Sequence, residues 1–143
     1  MPDTPSHSVS VAGIVVNDAG RVLVIRRRDN GHWEPPGGVL ELDESVEDGV
    51  RREVEEETGI PVHVERLTGV YKNMQRGVVA LVFRCHPLAQ RPRASDEATE
   101  VLWVAPDAIP HLMSPAYAVR VTDALSNNPP VARTHDGVHL IEV

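Results

Sequence analysis

The sequence predicts one domain of mixed architecture, α/β in the broad sense and α+β in its arrangement. Three observations carry this expectation. Runs rich in β-branched residues recur between turn signals. Two segments combine helical period with helix-start and helix-stop residues. The 143 residues suit one domain of ordinary size, spanning 1–143.

The elements follow in order. Residues 1–7 are polar, contain Pro2 and Pro5, and read as a loose tail. Val9–Val16 and Arg21–Arg27 flank Asn17-Asp18-Ala19-Gly20 and read as a strand pair joined by a short turn. Asn30-Gly31 and Pro35-Pro36-Gly37-Gly38 mark a loop without regular structure. A helix is expected from Ser45 to Thr58, with Gly59 as its left-handed terminator and Pro61 blocking continuation. Val62–Tyr71 and Val78–Cys85 read as strands around a polar turn at Asn73–Gly77, and Val101–Val104 as a short strand after a loop. Pro106–Leu112 suggests a helical turn. Ser114-Pro115 opens a second helix whose apolar face is Ala118, Val121 and Leu125. Asp136-Gly137 signals a final hairpin.

Composition narrows the function classes. Hydrophobic residues make up 41% and charged residues 24%, a globular balance. Cys85 is the only cysteine, which rules out an internal disulfide and fits a reducing compartment. The start lacks the basic and apolar regions of a leader and no apolar run reaches membrane length, so the expectation is cytoplasmic with no membrane partner. A net charge of −7 argues against nucleic-acid binding, because a phosphate backbone prefers a basic face. A homodimer is compatible with the sequence and not required by it.

The acids are unevenly placed. Nine of the 21 fall between positions 41 and 57, opposed only by Arg51 and Arg52. On the Ser45–Thr58 helix, Val46, Val50 and Val54 form an apolar stripe. Glu53, Glu56 and Glu57 stand at i, i+3 and i+4 and share a face, with Glu53 and Glu57 inside the angular range of the stripe. Carboxylates at a core-facing edge are costly unless a cation binds them. A hard divalent ion with oxygen ligands is the economical partner; a strained, solvated face is the alternative. Arg51 and Arg52 point mostly elsewhere and are not expected to neutralise all three.

From Gly38 the segment GVLELDESVEDGVRREVEEETGI resembles the Nudix box at every fixed position: Gly38, Glu44, Arg52, Glu53, Val54, Glu56, Glu57, Gly59 and Ile60. Trp33-Glu34-Pro35-Pro36-Gly37-Gly38 is similar to the family's lead-in, and Glu100-Val101-Leu102-Trp103 to its late strand. The resemblance implies a mixed sheet sandwiched between helices. It implies magnesium, with manganese as a substitute, held by Glu53, Glu56 and Glu57 and by a carbonyl of Gly37 or Gly38; a tight turn is the plainer account of the glycines. Arg52 resembles the arginine that orients the glutamates, Glu44 the residue tying loop to helix, and Gly59 the box's closing glycine. The implied reaction is hydrolysis of a diphosphate linkage in a nucleoside diphosphate joined to a moiety X. A general base is required, and Glu53, Glu97 and Glu100 are the candidates; Asp96-Glu97 also reads as a solvated turn.

Outside the box the sequence is less telling. Arg26, Arg27 and Arg28 are candidates for substrate phosphate, although a solvated strand end is expected for at least two of them. Tyr71 and Tyr117 are candidates to stack on a base or to fill the core. His135 and His139 flank a turn, which disfavours a zinc site. By elimination the first substrate class is a nucleoside triphosphate, oxidised forms included. The alternatives are an ADP-ribose or nucleotide-sugar pyrophosphatase and a nucleotide-sensing module; RNA decapping would need a basic track that is missing.

Overall fold

The computed structural model describes residues 3–143. Nine strands form two sheets: β1 (Ser8–Val15), β2 (Val22–Arg27), β3 (Trp33–Glu34), β4 (Gly37–Val39), β5 (Val62–Asn73), β6 (Val78–Pro87), β7 (Ala98–Val104), β8 (Val131–His135) and β9 (Leu140–Ile141). The helices are α1 (Val46–Thr58), α2 (Ile109–Leu112) and α3 (Pro115–Leu125), with a 3-10 turn at Pro106–Ala108. The larger sheet runs β4-β1-β6-β5-β8-β9 and the smaller β3-β2-β7. The larger is mixed: β1 with β6 and β5 with β8 are parallel, and its other pairs are antiparallel.

Alternation along β1 and β2 explains the layers, since successive strand side chains face opposite sides. Val11, Val15, Leu23 and Ile25 join Val50, Val54 and Ile60 of the α1 side in one core. Ala12, Ile14, Val16, Val22 and Val24 join Ile109, Met113, Val121 and Ala124 on the α2–α3 side in the other. Helices therefore cover both faces of the sheet, as the family resemblance implies.

Two expectations about the first forty residues are corrected. β1 and β2 are not a paired hairpin. The turn forms, with Asn17 Oδ1 accepting from the amides of Ala19 and Arg21, but only a Val16–Val22 bridge joins the strands before they part into separate sheets. The Pro35–Gly38 region is also more regular than expected. Gly37–Val39 pairs antiparallel with β1, placing Gly38 opposite Val11 and Gly37 opposite Ala12. Neither glycine has positive φ, so a tight turn does not explain them. Contact does: a Cβ on Gly37 would strike the Val11 carbonyl, and one on Gly38 would lie 2.5 Å from the Glu53 carboxylate.

Helix α1 starts and stops where expected. Ser45 Oγ accepts from the Asp48 amide at 3.1 Å, and Gly59 at φ 75° donates its amide to the Glu55 carbonyl. The helix lies close on β1 at Gly13, where an added Cβ would be 2.9 Å from Val54 Cγ2 and 3.2 Å from Cys85 Sγ. Gly13→Ala should therefore lower stability by about 1–3 kcal/mol, as overpacking does. Urea unfolding should show a reduced midpoint at unchanged slope; an unchanged midpoint would mean that the helix can ride up without cost.

Candidate active site

Helix α1 delivers Glu53 and Glu57 to the sheet side. They are 8% and 3% exposed, whereas Glu56 is exposed. Each is held by a specific neighbour. Glu57 accepts from the Gly37 amide at 2.6 Å, and Glu53 accepts from Arg52 at 2.8 Å. Glu97, on the loop before β7, completes a cluster in which one carboxylate oxygen from each of Glu53, Glu57 and Glu97 lies within 4.8 Å of the others. Glu56 lies outside that cluster and pairs with Arg52 at 3.3 Å.

The cluster's electrostatics favour a cation. Glu55, Glu56 and Glu57 occupy the last turn of α1, where the dipole repels anions and no basic residue compensates. Burial, reinforced by Glu53, Glu97 and Glu34, pushes the Glu57 carboxyl up to about 8 against the pull of the Gly37 amide. Burial also raises Glu53, with Arg52 opposing. Three hard oxygen donors in this state fit a divalent metal.

Arg52 corrects the expectation that the helix arginines point away. Its Nε and one terminal nitrogen bind both oxygens of Glu44 at 2.9 and 2.6 Å, and its other terminal nitrogen binds Glu53 and Glu56. That fork also reaches the Val39 carbonyl at 3.2 Å, fastening β4 and the following loop to the helix. Glu44 in turn accepts from the Glu41 amide, and the Arg52 hydrogen bonds hold its carboxyl at about 2. Gly49 packs beneath this arrangement, with an added Cβ 2.6 Å from Leu40 Cδ1 and 3.0 Å from Glu44 Oε1.

A cavity of about 1080 Å³ opens over the acids, lined by Arg27, Arg28, Gly37, Gly38, Glu53, Glu56 and Glu97 among others. Of the three consecutive arginines, Arg26 leaves this cavity: it pairs with Glu100 at 3.1 Å across β2–β7 and lies 6.0 Å from the Trp33 ring. That same pair sets Glu100 outside the cavity and apart from the acid cluster. Arg27 stands at the cavity, held by Asp29 and, at 3.5 Å, by Glu34. Arg28 donates to the carbonyls of Asp96 and Ser95, while its amide donates to the Glu97 carbonyl. It therefore fixes the loop that presents Glu97, a role its position at a strand end did not suggest.

Tyr71 is not available for base stacking. Its ring is fully buried and its hydroxyl donates to Asp123 at 2.7 Å. His135 and His139 do sit on a hairpin, with His135 buried and His139 exposed. No helix among the described residues is long and apolar enough to cross a membrane.

A carboxylate cluster beneath a sheet-flanked cleft, presented by a glycine strand and a helix, has the donor set of a metal-assisted hydrolytic site. Comparison with known proteins agrees. The NUDIX domain model matches residues 6–125. A "MutT-like protein" of Streptomyces ambofaciens is 61% identical over 96% of this chain and 89% of its own length. An "ADP-ribose pyrophosphatase" of Methanocaldococcus jannaschii is 35% identical over 73% of this chain and 66% of its own. A Bacillus subtilis protein provisionally named an 8-oxo-dGTP diphosphatase is 30% identical over 77% and 74%. The chain belongs to the NUDIX family. It is a Nudix pyrophosphohydrolase.

The raised carboxyls set a pH dependence for the metal-free protein. A group whose folded pKa is raised contributes stability that is full below the unfolded value of 4.5 and lost as pH climbs through the folded one. Buried His135, whose pKa is lowered from 6.5, acts oppositely but only below that value. In EDTA, Tm should therefore fall between pH 6.5 and 8, and Glu57→Gln should flatten the slope. Magnesium should raise Tm more at pH 8 than at pH 6.5. An equal increment at both would detach the metal from these acids.

Proposed function

We propose that the protein hydrolyses a diphosphate linkage in a nucleoside diphosphate joined to a moiety X, in a magnesium-dependent reaction. Nucleoside triphosphates, oxidised forms included, are the first substrate class. The observation that carries this reading is the convergence of Glu53, Glu57 and Glu97 beside a cleft lined by Glu53, Glu97 and Arg27.

Magnesium, or manganese in its place, suits oxygen donors supplied by Glu53 and Glu57, with Glu56 and a carbonyl of Gly37 or Gly38 as further donors. When bound, it neutralises phosphate charge and acidifies water. The chain's own groups do the rest. Arg52 and Gly37 fix the carboxylate directions, and Arg27 faces the phosphate end of the cleft. Glu97 takes the proton from the attacking water. The new oxygen–phosphorus bond forms as the bridging bond breaks, giving a nucleoside monophosphate and phosphorylated X. Glu97 is preferred to Glu53, whose carboxylate is already engaged by Arg52, and to Glu100, which is paired with Arg26.

The second reading, an ADP-ribose or nucleotide-sugar pyrophosphatase, is favoured by the name of the 35% identical relative. The provisional name of the 30% identical one favours the first. A sensing module without turnover is disfavoured because every box acid is retained. The cytoplasm, where nucleotides are abundant, is the proposed location.

Hydrolysis should be screened with magnesium across nucleoside triphosphates, oxidised forms, ADP-ribose, dinucleoside polyphosphates and nucleotide sugars. At least one should turn over, and Glu97→Gln should reduce kcat by about 10²–10⁴-fold, the usual worth of a general base. Glu100→Gln should leave kcat unchanged. Tight nucleotide binding with no turnover of any compound would establish the sensor instead.

A further inference from the structure

Arg120 lies on the inner side of α3, 7% exposed, where Glu34 acts on its charge from a distance but no acceptor is bonded to it. Among the described residues no carboxylate reaches it within ion-pair distance, and its Nε has no hydrogen-bond partner. The nearest polar atom is Nε2 of buried His135, 3.4 Å from a terminal nitrogen of Arg120. That contact supplies no acceptor. His135 Nδ1 accepts from the Gly137 amide at 3.0 Å, so in the neutral ring the proton sits on Nε2. A donor faces a donor. Asp123 does not serve Arg120 either, because both its oxygens are engaged by Arg133 and one also by the Tyr71 hydroxyl.

The guanidinium is nevertheless held in place. It lies 5.0 Å from the Tyr71 ring centre and 4.6 Å from that of Tyr117. An arginine stays charged in proteins, and a buried charge without acceptors is costly. A fold that fixes such a group so firmly is arranged for an acceptor that arrives from outside.

The space for it is present. Arg120 lines a second cavity of about 630 Å³, together with Tyr117 and His135. Glu34 lines the same cavity without pairing to Arg120. This cavity shares Gly37, Gly38 and Val39 with the acid-lined one, so the two lie side by side along β4.

We propose, building on the nucleotide-hydrolase reading above, that this second cavity takes the base end of the substrate and that Arg120 selects bases with a carbonyl at purine C6 or pyrimidine C4. A further phosphate or carboxylate would meet Glu34 and Asp29 on the same walls. A carbonyl is a neutral acceptor. Guanine- and uracil-type rings also carry N–H groups beside the carbonyl, which Glu34 can accept. Adenine and cytosine place an amino group where that carbonyl stands and turn donors toward a cation.

The test uses the full chain, with KM and kcat for GTP, UTP, ATP and CTP and thermal shifts with the matching monophosphates in EDTA. The carbonyl-bearing pair should show KM values about 10–100-fold below the amino pair, the usual worth of a well-made base contact. Arg120→Met should erase that preference by raising KM at nearly constant kcat, without lowering Tm, because it removes an unsatisfied charge. A lowered Tm with the preference intact would make Arg120 structural and overturn the proposal. Should the variant not fold, the wild-type monophosphate shifts decide: equal shifts for GMP and AMP, or an equal shift from ribose 5-phosphate, overturn it. GMP-specific stabilisation without hydrolysis of any triphosphate would retain this proposal and remove triphosphates as the substrate class. Hydrolysis with no base preference would do the reverse.

Discussion

The close approach of the Gly37–Gly38 strand to helix α1 is the constraint on which the site depends. Glu57 lies 2.6 Å from the Gly37 amide, and Glu53 occupies the space that any side chain at position 38 would need. The same two residues hydrogen-bond to β1 on their other edge, which a side chain at position 37 would prevent. One short strand therefore joins the sheet to the carboxylates. Carboxylates on a helix alone would have rotamer freedom and water; pressed against this backbone they have neither, and their burial and mutual repulsion follow.

Arg52 makes that compression tolerable. It binds Glu44, Glu53 and Glu56 at once and reaches the backbone at Val39, so loop, strand and helix close around one guanidinium. Exposed ion pairs contribute little individually. The value of this one lies in geometry, because a planar fork with several donors sets the directions of its partners. Glu57 receives no such partner and keeps a raised pKa. The division is useful for a metal centre. One acid, Glu53, is oriented by a permanent cation, and another, Glu57, is left without one.

Helical period and the box pattern made this much legible beforehand: the limits of α1 and the inward turn of Glu53 and Glu57; that Glu44 and Arg52 bind each other was not foreseen. What escaped depended on contacts between distant segments. Nothing local distinguishes Glu97 from a solvated turn, and it joins the cluster because Arg28, at the end of β2, binds the carbonyls of its loop. The separation of β1 from β2 was hidden for a similar reason. Their turn is a good hairpin turn, yet pairing of β1 with β4 and β6, and of β2 with β3 and β7, overrides it. Glu56 fits the helical face by angle, but its neighbour Arg52 draws it toward solvent.

Arg120 shows a further reason for the limit. On α3 the sequence offers Ala118, Val121 and Leu125 as the apolar face, and an arginine between them reads as the solvent side. The fold buries it because two tyrosines, one from β5 and one from α3, make a slot that a flat cation fills. Arg52 and Arg120 then have opposite surroundings in two cavities that share β4: the first binds several acids, while the second has no bonded acid, with Glu34 acting only from a distance. A substrate with an anionic, metal-seeking end and a neutral, acceptor-bearing end answers both conditions at once. On the proposed reading, this polarity would orient a bound nucleotide with its diphosphate toward α1 and its base toward α3.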